Sequence, residues 1–84
     1  MKHSASPRFW SSYNALPVAV RKLADNNFAL LKHDLRHPSL QFKKVGRYWS
    51  ARVGLRYRAL AVEADDGYLW FWIGSHADYD RLIG

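Results

Sequence analysis

The residues Tyr68–Ser75, with the sequence YLWFWIGS, form the most apolar and aromatic run of the chain. A short, nearly uninterrupted apolar run is typical of a central β-strand that is buried on both faces. The sequence Asp-Asp-Gly at 65–67 comes directly before it and is a strong signal for a hairpin turn. The run therefore predicts a central strand in a hairpin, with Trp70, Phe71 and Trp72 as core residues.

Further strands are predicted upstream of this turn, because apolar and polar residues alternate there with the period of a half-buried strand. The alternation is clearest around Ser50 and Arg52, which share one side of their strand, and around Arg56 and Arg58 on the next. The predicted strands are Gln41–Val45, Trp49–Val53 and Arg56–Glu63, with a further small strand at Lys2–Ala5 as an option.

Two amphipathic helices are predicted before the strands. Ser6 suits the N-cap position, and Pro7 suits the first helical position, where its missing N–H removes no hydrogen bond. Pro17 ends this helix and opens a second one that extends to about Asp34. After the central strand, His76–Leu82 is expected to form a helical turn or a short helix.

This order of elements predicts an α+β fold for residues 1–84, as a single domain. An N-terminal helical hairpin packs on a mainly antiparallel sheet of three to four strands. The composition supports a core, since 49% of the residues are hydrophobic and 15% are aromatic. The chain has no cysteine, which excludes disulfides and thiol chemistry. Because no signal peptide or membrane span is apparent, we expect a cytoplasmic protein without membrane contacts.

The net charge of +6 comes from one segment of the chain. Residues 36–58 contain seven basic residues and no acidic one, so the remaining residues together carry a charge of −1. The seven are Arg36, Lys43, Lys44, Arg47, Arg52, Arg56 and Arg58. Arginines on neighbouring strands can converge on one phosphate, so this segregation favours an anionic partner. The same side chains would also suit a solvated sheet face.

A second candidate site lies at Gly74–Tyr79, where the central strand ends. His76 can exchange a proton near neutral pH, and Tyr79 can donate a hydrogen bond or stack on a base. Asp78 can orient the imidazole or cap the following helix. A histidine at a strand end can equally have no functional role. His76 therefore indicates a functional site only in combination with the basic strands.

A metal site is not expected, although four histidines leave one open by composition. His33 and His37 are four residues apart, a spacing that places two ligands on one face of a helix. Pro38 moves His37 out of the helical region, and no third ligand is apparent. No metal ion or other cofactor is therefore predicted.

Two strings carry a resemblance to a known family: LRHPSLQFKKV at 35–45 and YWSARVGLRYRAL at 48–60. Together with the run at 68–75 and the ending HADYDRL, they resemble the RelE/ParE superfamily of bacterial toxins. The resemblance implies a type II toxin that a cognate antitoxin neutralises. In the RelE-like branch, the toxin acts on the ribosome and cleaves mRNA by attack of a ribose 2′-hydroxyl on the adjacent phosphate.

The resemblance also implies roles for individual residues. Arg52 matches a basic residue of the middle strand, and Arg58 matches the phosphate-binding arginine. His76 falls where members carry Arg or His, and Tyr79 matches a C-terminal tyrosine. Members with a Lys-x-Lys pair carry it where this chain has Ser50 and Arg52, so proton transfer is assigned to His76. The residues expected to contribute further phosphate contacts are Lys43, Lys44, Arg47 and Arg56.

The superfamily leaves alternative functions open. ParE-like members inhibit DNA gyrase without cutting RNA, and that activity does not require the histidine. A toxin-like protein that only binds a partner is a third possibility, which the serine in place of a family lysine keeps open.

Overall fold

Five strands and three helices make up residues 2–84, the part of the chain that the computed structural model describes. The elements are β1 (Lys2–Ala5), α1 (Pro7–Asn14), α2 (Val18–His33), a 3₁₀ turn (Pro38–Leu40), β2 (Lys43–Val45), β3 (Tyr48–Val53), β4 (Tyr57–Ala64), β5 (Gly67–Ser75) and α3 (His76–Ile83). The predicted α+β class is confirmed.

The strands form one sheet in the order β1-β5-β4-β3-β2. All neighbours are antiparallel except β1, which runs parallel to β5 from the pair Lys2–Gly67 to the pair Ala5–Trp70. The optional strand at Lys2–Ala5 is present as β1, and with it the sheet has five strands, more than the three to four expected. Lys2–Ala5 reaches its partner from the other end of the chain, and such parallel pairing leaves no turn signal in the sequence.

The first helix, α1, begins as its capping residues predict. The Oγ of Ser6 accepts a hydrogen bond from the N–H of Phe9 at 3.2 Å, and Pro7 occupies the first helical position. The helix α1 packs against β5, and α2 packs against β3. The hydroxyl of Tyr13 donates to Oδ1 of Asp25 at 2.7 Å and joins the two helices.

The main core lies between these helices and one face of the sheet. The buried apolar residues of this core are Leu16, Val20, Ala24, Leu31, Leu40, Ala51, Val53, Ala59, Ala61, Trp70 and Ile73. Three of the strand positions are alanines, which allow the helices to approach the sheet closely. Strand alternation then places Ser50, Arg52 and Arg58 on the opposite face.

The opposite face is partly covered by α3. The helix begins directly after β5, where the Oγ of Ser75 accepts from the N–H of Asp78 at 3.1 Å. The N–H of His76 donates to the carbonyl of Arg56 at 2.7 Å, which fixes the start of the helix on the β3–β4 turn.

None of the helices within residues 2–84 has the length and apolar character that a membrane span requires.

Candidate functional site

Three of the predicted site residues meet where β4, β5 and α3 join. Arg58 lies on β4, while His76 and Tyr79 lie on the first turn of α3. The guanidinium carbon of Arg58 is 5.3 Å from the centre of the Tyr79 ring, within the range of a cation–π contact. The rings of His76 and Tyr79 have centres 5.6 Å apart. Because α3 folds back over the sheet, an arginine, a tyrosine and a histidine form one cluster.

Arg58 is a buried cation whose hydrogen-bond partners are neutral. Only 5% of this residue is exposed to solvent. Nη1 donates to Oγ of Ser50 and Nη2 donates to Oε1 of Gln41, both at 2.9 Å. Among residues 2–84 no carboxylate forms an ion pair with Arg58, since the described pairs involve other side chains. A buried charge without a counter-ion is unfavourable by itself, so this environment suits an anionic ligand.

Ser50 and Gln41 support Arg58, and the sequence did not assign either of them this role. Ser50 is 0% exposed, so its hydroxyl is available only inside the protein. Gln41 follows the 3₁₀ turn with a φ of 44°, in the left-handed region that is uncommon for residues other than glycine. Strand alternation indicates the side of the strand on which Ser50 lies, but it does not indicate that Arg58 is its partner. No sequence pattern indicates that Gln41 has a left-handed backbone conformation.

Arg52 brings a second guanidinium to the same face. Its Cα is the register partner of the Cα of Arg58 across β3 and β4, so the two side chains are neighbours. Nε of Arg52 donates to the carbonyl of Gly54 at 2.9 Å, which directs the half-buried side chain toward the β3–β4 turn. Two arginines side by side repel each other, and an anion between them would remove that repulsion.

The other four predicted basic residues are exposed and do not converge. Lys43 pairs with Ser50 in the register and lies on the Arg58 side, whereas Lys44 is on the opposite side. Arg47 and Arg56 lie in the turns at opposite ends of β3. These side chains add positive potential around the site, but they do not form one binding pocket.

His76 is solvent-accessible, with a side chain that is 52% exposed. Its Nε2 lies 3.5 Å from Oδ1 of Asp80, one helical turn further along α3. Asp78 forms an ion pair with Arg81 at 3.3 Å and not with the imidazole of His76. The carboxylate that can orient the imidazole is therefore that of Asp80.

Two of the other histidines, His37 and His3, have structural contacts, whereas His33 is exposed at the end of α2. Nδ1 of His37 accepts from the N–H of Ser39 at 3.2 Å and caps the 3₁₀ turn. Nδ1 of His3 accepts from Nε1 of Trp70 at 3.0 Å, and the His3 ring stacks on Tyr68. Burial lowers the pKa of His3 below its ordinary value of 6.5. Residues 2–84 contain no group of three or more metal-ligating side chains.

A family model described as the ParE-like toxin domain matches residues 19–81, which is most of the chain. The chain belongs to the ParE-like toxin family. The resemblance to the RelE/ParE superfamily is thereby confirmed, and the protein is a toxin of the kind found in toxin–antitoxin systems. No curated protein matches the sequence.

Solved structures of RelE toxins have the same fold as this ParE-like toxin. One is in the RelB–RelE antitoxin–toxin complex from Methanococcus jannaschii, with a TM-score of 0.74, 15% identity and coverage of 96% of this chain and 99% of that chain. Another is the isolated E. coli RelE toxin, with a TM-score of 0.64, 10% identity and coverage of 95% and 93%. At these identities the similarity defines the fold alone.

Proposed function

We propose that this toxin is a ribosome-dependent mRNA endonuclease that uses Arg58, His76 and Tyr79. The observation that carries the proposal is the buried guanidinium of Arg58, which forms no ion pair with a carboxylate of residues 2–84 and lies near the same Tyr79 ring as the exposed imidazole of His76. Side chains that combine an unpaired buried charge with a proton-transfer group are typical of functional sites. The fold of the RelE toxins is consistent with this activity.

The proposed reaction is an internal transfer within the RNA. The 2′-hydroxyl loses its proton and its oxygen attacks the adjacent phosphorus. The bond from phosphorus to the 5′ oxygen breaks, which leaves a cyclic phosphate and a 5′-hydroxyl. The step needs a base for the first proton, cations for the doubly charged phosphorane and an acid for the leaving oxygen.

Arg58 would bind the phosphate as the central cation. A guanidinium has five N–H donors, of which Ser50 and Gln41 occupy two. Because the side chain of Gln41 is exposed, a phosphate oxygen can replace Oε1 of Gln41 as the acceptor for Nη2. Arg52, on the same face, would supply a second positive charge.

His76 would transfer the proton, and Tyr79 would position its partners. The imidazole is exposed at the edge of the cluster, where it can reach a bound ribose or a leaving oxygen. Asp80 lies 3.5 Å from Nε2 and would orient the imidazole. The Tyr79 ring contacts both Arg58 and His76, so it would hold the two groups at a fixed separation.

The proposed partners are a cognate antitoxin, the ribosome and mRNA, in the cytoplasm. The M. jannaschii toxin was solved with its antitoxin, which supports an antitoxin for this chain as well. The basic segment at residues 36–58 offers a surface for an acidic antitoxin segment. The same positive potential would attract RNA.

Purified ribosomes programmed with a defined mRNA provide the test. The wild-type protein is expected to cut the mRNA in the A site, and His76→Ala is expected to abolish the cut while ribosome binding persists. His33→Ala is the matched control, because it removes an exposed histidine at the end of α2. Undiminished cleavage by His76→Ala would overturn the role of the imidazole.

DNA gyrase inhibition is the second candidate function. The match of residues 19–81 to the ParE-like toxin domain favours it. A supercoiling assay with purified gyrase separates the two candidates. Inhibition of supercoiling by a protein that leaves mRNA intact on the ribosome would replace the nuclease proposal.

A further inference from the structure

Trp72 differs from the two other tryptophans of the sheet. Nε1 of Trp49 donates to Oε1 of Glu63 at 2.9 Å, and Nε1 of Trp70 donates to Nδ1 of His3 at 3.0 Å. Both of those rings also stack on other aromatic rings. Within residues 2–84 the indole of Trp72 has neither a hydrogen-bond partner for its N–H nor an aromatic neighbour. The side chain is only half-buried, so this unpartnered indole is accessible to a ligand.

A β-bulge directs Trp72 away from the main core. The register between β4 and β5 shifts next to Leu60, whose Cα pairs with that of Trp72. Without this shift, Trp70 and Trp72 would lie on the same face of the sheet, because they are two residues apart. With it, Trp70 lies in the core beneath the helices, while Trp72 shares a face with Leu60 and Arg58.

Gly74 holds the indole close to the cluster around Arg58. A Cβ atom at position 74 would lie 2.5 Å from Cζ2 of Trp72 and 2.9 Å from its Cη2, so the six-membered ring covers the glycine. The Cα of Gly74 is in turn the register partner of the Cα of Arg58. The indole therefore extends along β5 toward the strand position that faces Arg58.

We infer that Trp72 is a stacking platform for a nucleobase of the RNA whose phosphate binds Arg58. This inference rests on the proposed nuclease function, and it names a residue that would bind the base rather than the phosphate. Stacking of a base on an aromatic side chain contributes about 1–3 kcal/mol and tolerates every base. The free indole N–H could also donate to an acceptor on the base or sugar.

The preceding residue of β5, Phe71, belongs to a separate group of aromatic and basic side chains. Phe71 is half-buried, and its ring centre lies 5.3 Å from that of Tyr48. The guanidinium carbon of Arg8 is 5.9 Å from the centre of the Phe71 ring. Aromatic rings interleaved with basic side chains are the usual composition of surfaces that bind single-stranded nucleic acid.

Binding of a short oligoribonucleotide with 2′-O-methyl riboses tests the inference, because this probe cannot be cleaved. By fluorescence anisotropy, Trp72→Leu is expected to weaken binding about 5- to 150-fold, which corresponds to the loss of one stacked base. Trp72→Phe keeps an aromatic face and should retain most of the affinity. The matched control is Trp10→Leu, which changes a 49% exposed tryptophan on α1 and should leave the affinity unchanged.

Intrinsic fluorescence gives an independent readout. The oligoribonucleotide should quench emission in the wild type and in Trp10→Leu, but the quenching should largely disappear in Trp72→Leu. Circular dichroism and thermal unfolding of each variant verify that it is folded. If Trp72→Leu is unfolded, Trp72→Phe and Gly74→Ala take its place, because Gly74→Ala displaces the indole without removing it.

Unchanged RNA affinity in a folded Trp72→Leu protein would overturn the inference, as would a wild-type protein that does not bind the probe. Loss of antitoxin binding with intact RNA binding would also overturn it and would assign Trp72 to the antitoxin interface. A protein that binds RNA through Trp72 but cuts no mRNA would retain the platform and refute the nuclease proposal. Cleavage that depends on His76 but not on Trp72 would support the nuclease proposal and refute the role of Trp72 as a stacking platform.

Discussion

Replacement of Arg58 by methionine removes the buried charge and keeps an unbranched side chain in the same place. The change removes two charge-assisted hydrogen bonds, to Ser50 and Gln41, worth about 1.5–3 kcal/mol each. It also removes the contact with Tyr79, worth about 0.5–2 kcal/mol. In return, the folded state no longer bears the desolvation of the guanidinium, which costs several kcal/mol. These contributions oppose each other and are of similar size.

We therefore expect the free energy of unfolding of Arg58→Met to lie within about 2 kcal/mol of the wild-type value. Toxicity should nevertheless be lost, because the phosphate-binding cation is gone. Urea denaturation measures the first quantity, and growth after induction without antitoxin measures the second. Leu60→Ala is the matched control on the same strand, since this buried leucine carries no charge. It should lose about 2–5 kcal/mol of stability and remain toxic wherever it is folded.

Arg58→Lys completes the series. Lysine keeps the charge but lacks the planar fork that reaches Ser50 and Gln41 together, so toxicity should fall only in part. Two results would refute a phosphate-binding role for Arg58. A fully toxic Arg58→Met protein would show that the guanidinium does not bind phosphate. A loss of stability above about 4 kcal/mol, with toxicity that follows the folded fraction, would assign Arg58 a structural role alone.

Two further predictions concern the residues around this cluster and the first strand. Ser50→Lys should unfold the protein, because it places a second positive charge at a fully buried position beside the Arg58 guanidinium; a thermal unfolding midpoint like that of the wild type would contradict the buried geometry. The lowered pKa of His3 means that the folded state binds its proton less readily than the unfolded state. Stability from His3 is therefore complete above about pH 6.5 and falls as the pH decreases through the folded pKa, by at most about 1.4 kcal/mol per pH unit. His3→Phe should remove this part of the pH dependence, and an unchanged profile in urea denaturation would exclude His3 as its source.

Local signals in the sequence were sufficient for most of the elements. The Ser-Pro pair at 6 and 7 marks the start of α1, and the Asp-Asp-Gly turn separates β4 from β5. Alternation placed Ser50 and Arg52 on one side of their strand, and the register shows that Arg58 of the next strand lies on the same face. These features could be predicted because each depends on residues that are close together in the chain.

Features that depend on distant parts of the chain could not be predicted. The pairing of β1 with β5 joins opposite ends of the sequence, so the sheet has more strands than expected. The apolar run at 68–75 predicts that Trp70, Phe71 and Trp72 are all core residues. A bulge instead separates Trp70 from Trp72, and an apolar run contains no alternation that could reveal it.

The environment of Arg58 is the clearest case of this limit. The sequence indicated the strand and the side of this residue, and family resemblance indicated a phosphate-binding role. Its burial depends on the packing of α3 over β4, and its partner Gln41 depends on an unusual backbone conformation. Neither feature leaves a local pattern in the sequence, so the burial of Arg58 and its hydrogen bond to Gln41 could be found only in the structure.

Primer-extension mapping of cellular mRNA, after the toxin is induced without its antitoxin, tests the nuclease proposal most directly. We expect in-frame cuts at codons in the ribosomal A site with the wild-type protein, and no cuts with His76→Ala at the same protein level. Intact mRNA in cells whose growth the wild-type toxin has arrested would show that the toxin is not an mRNA endonuclease.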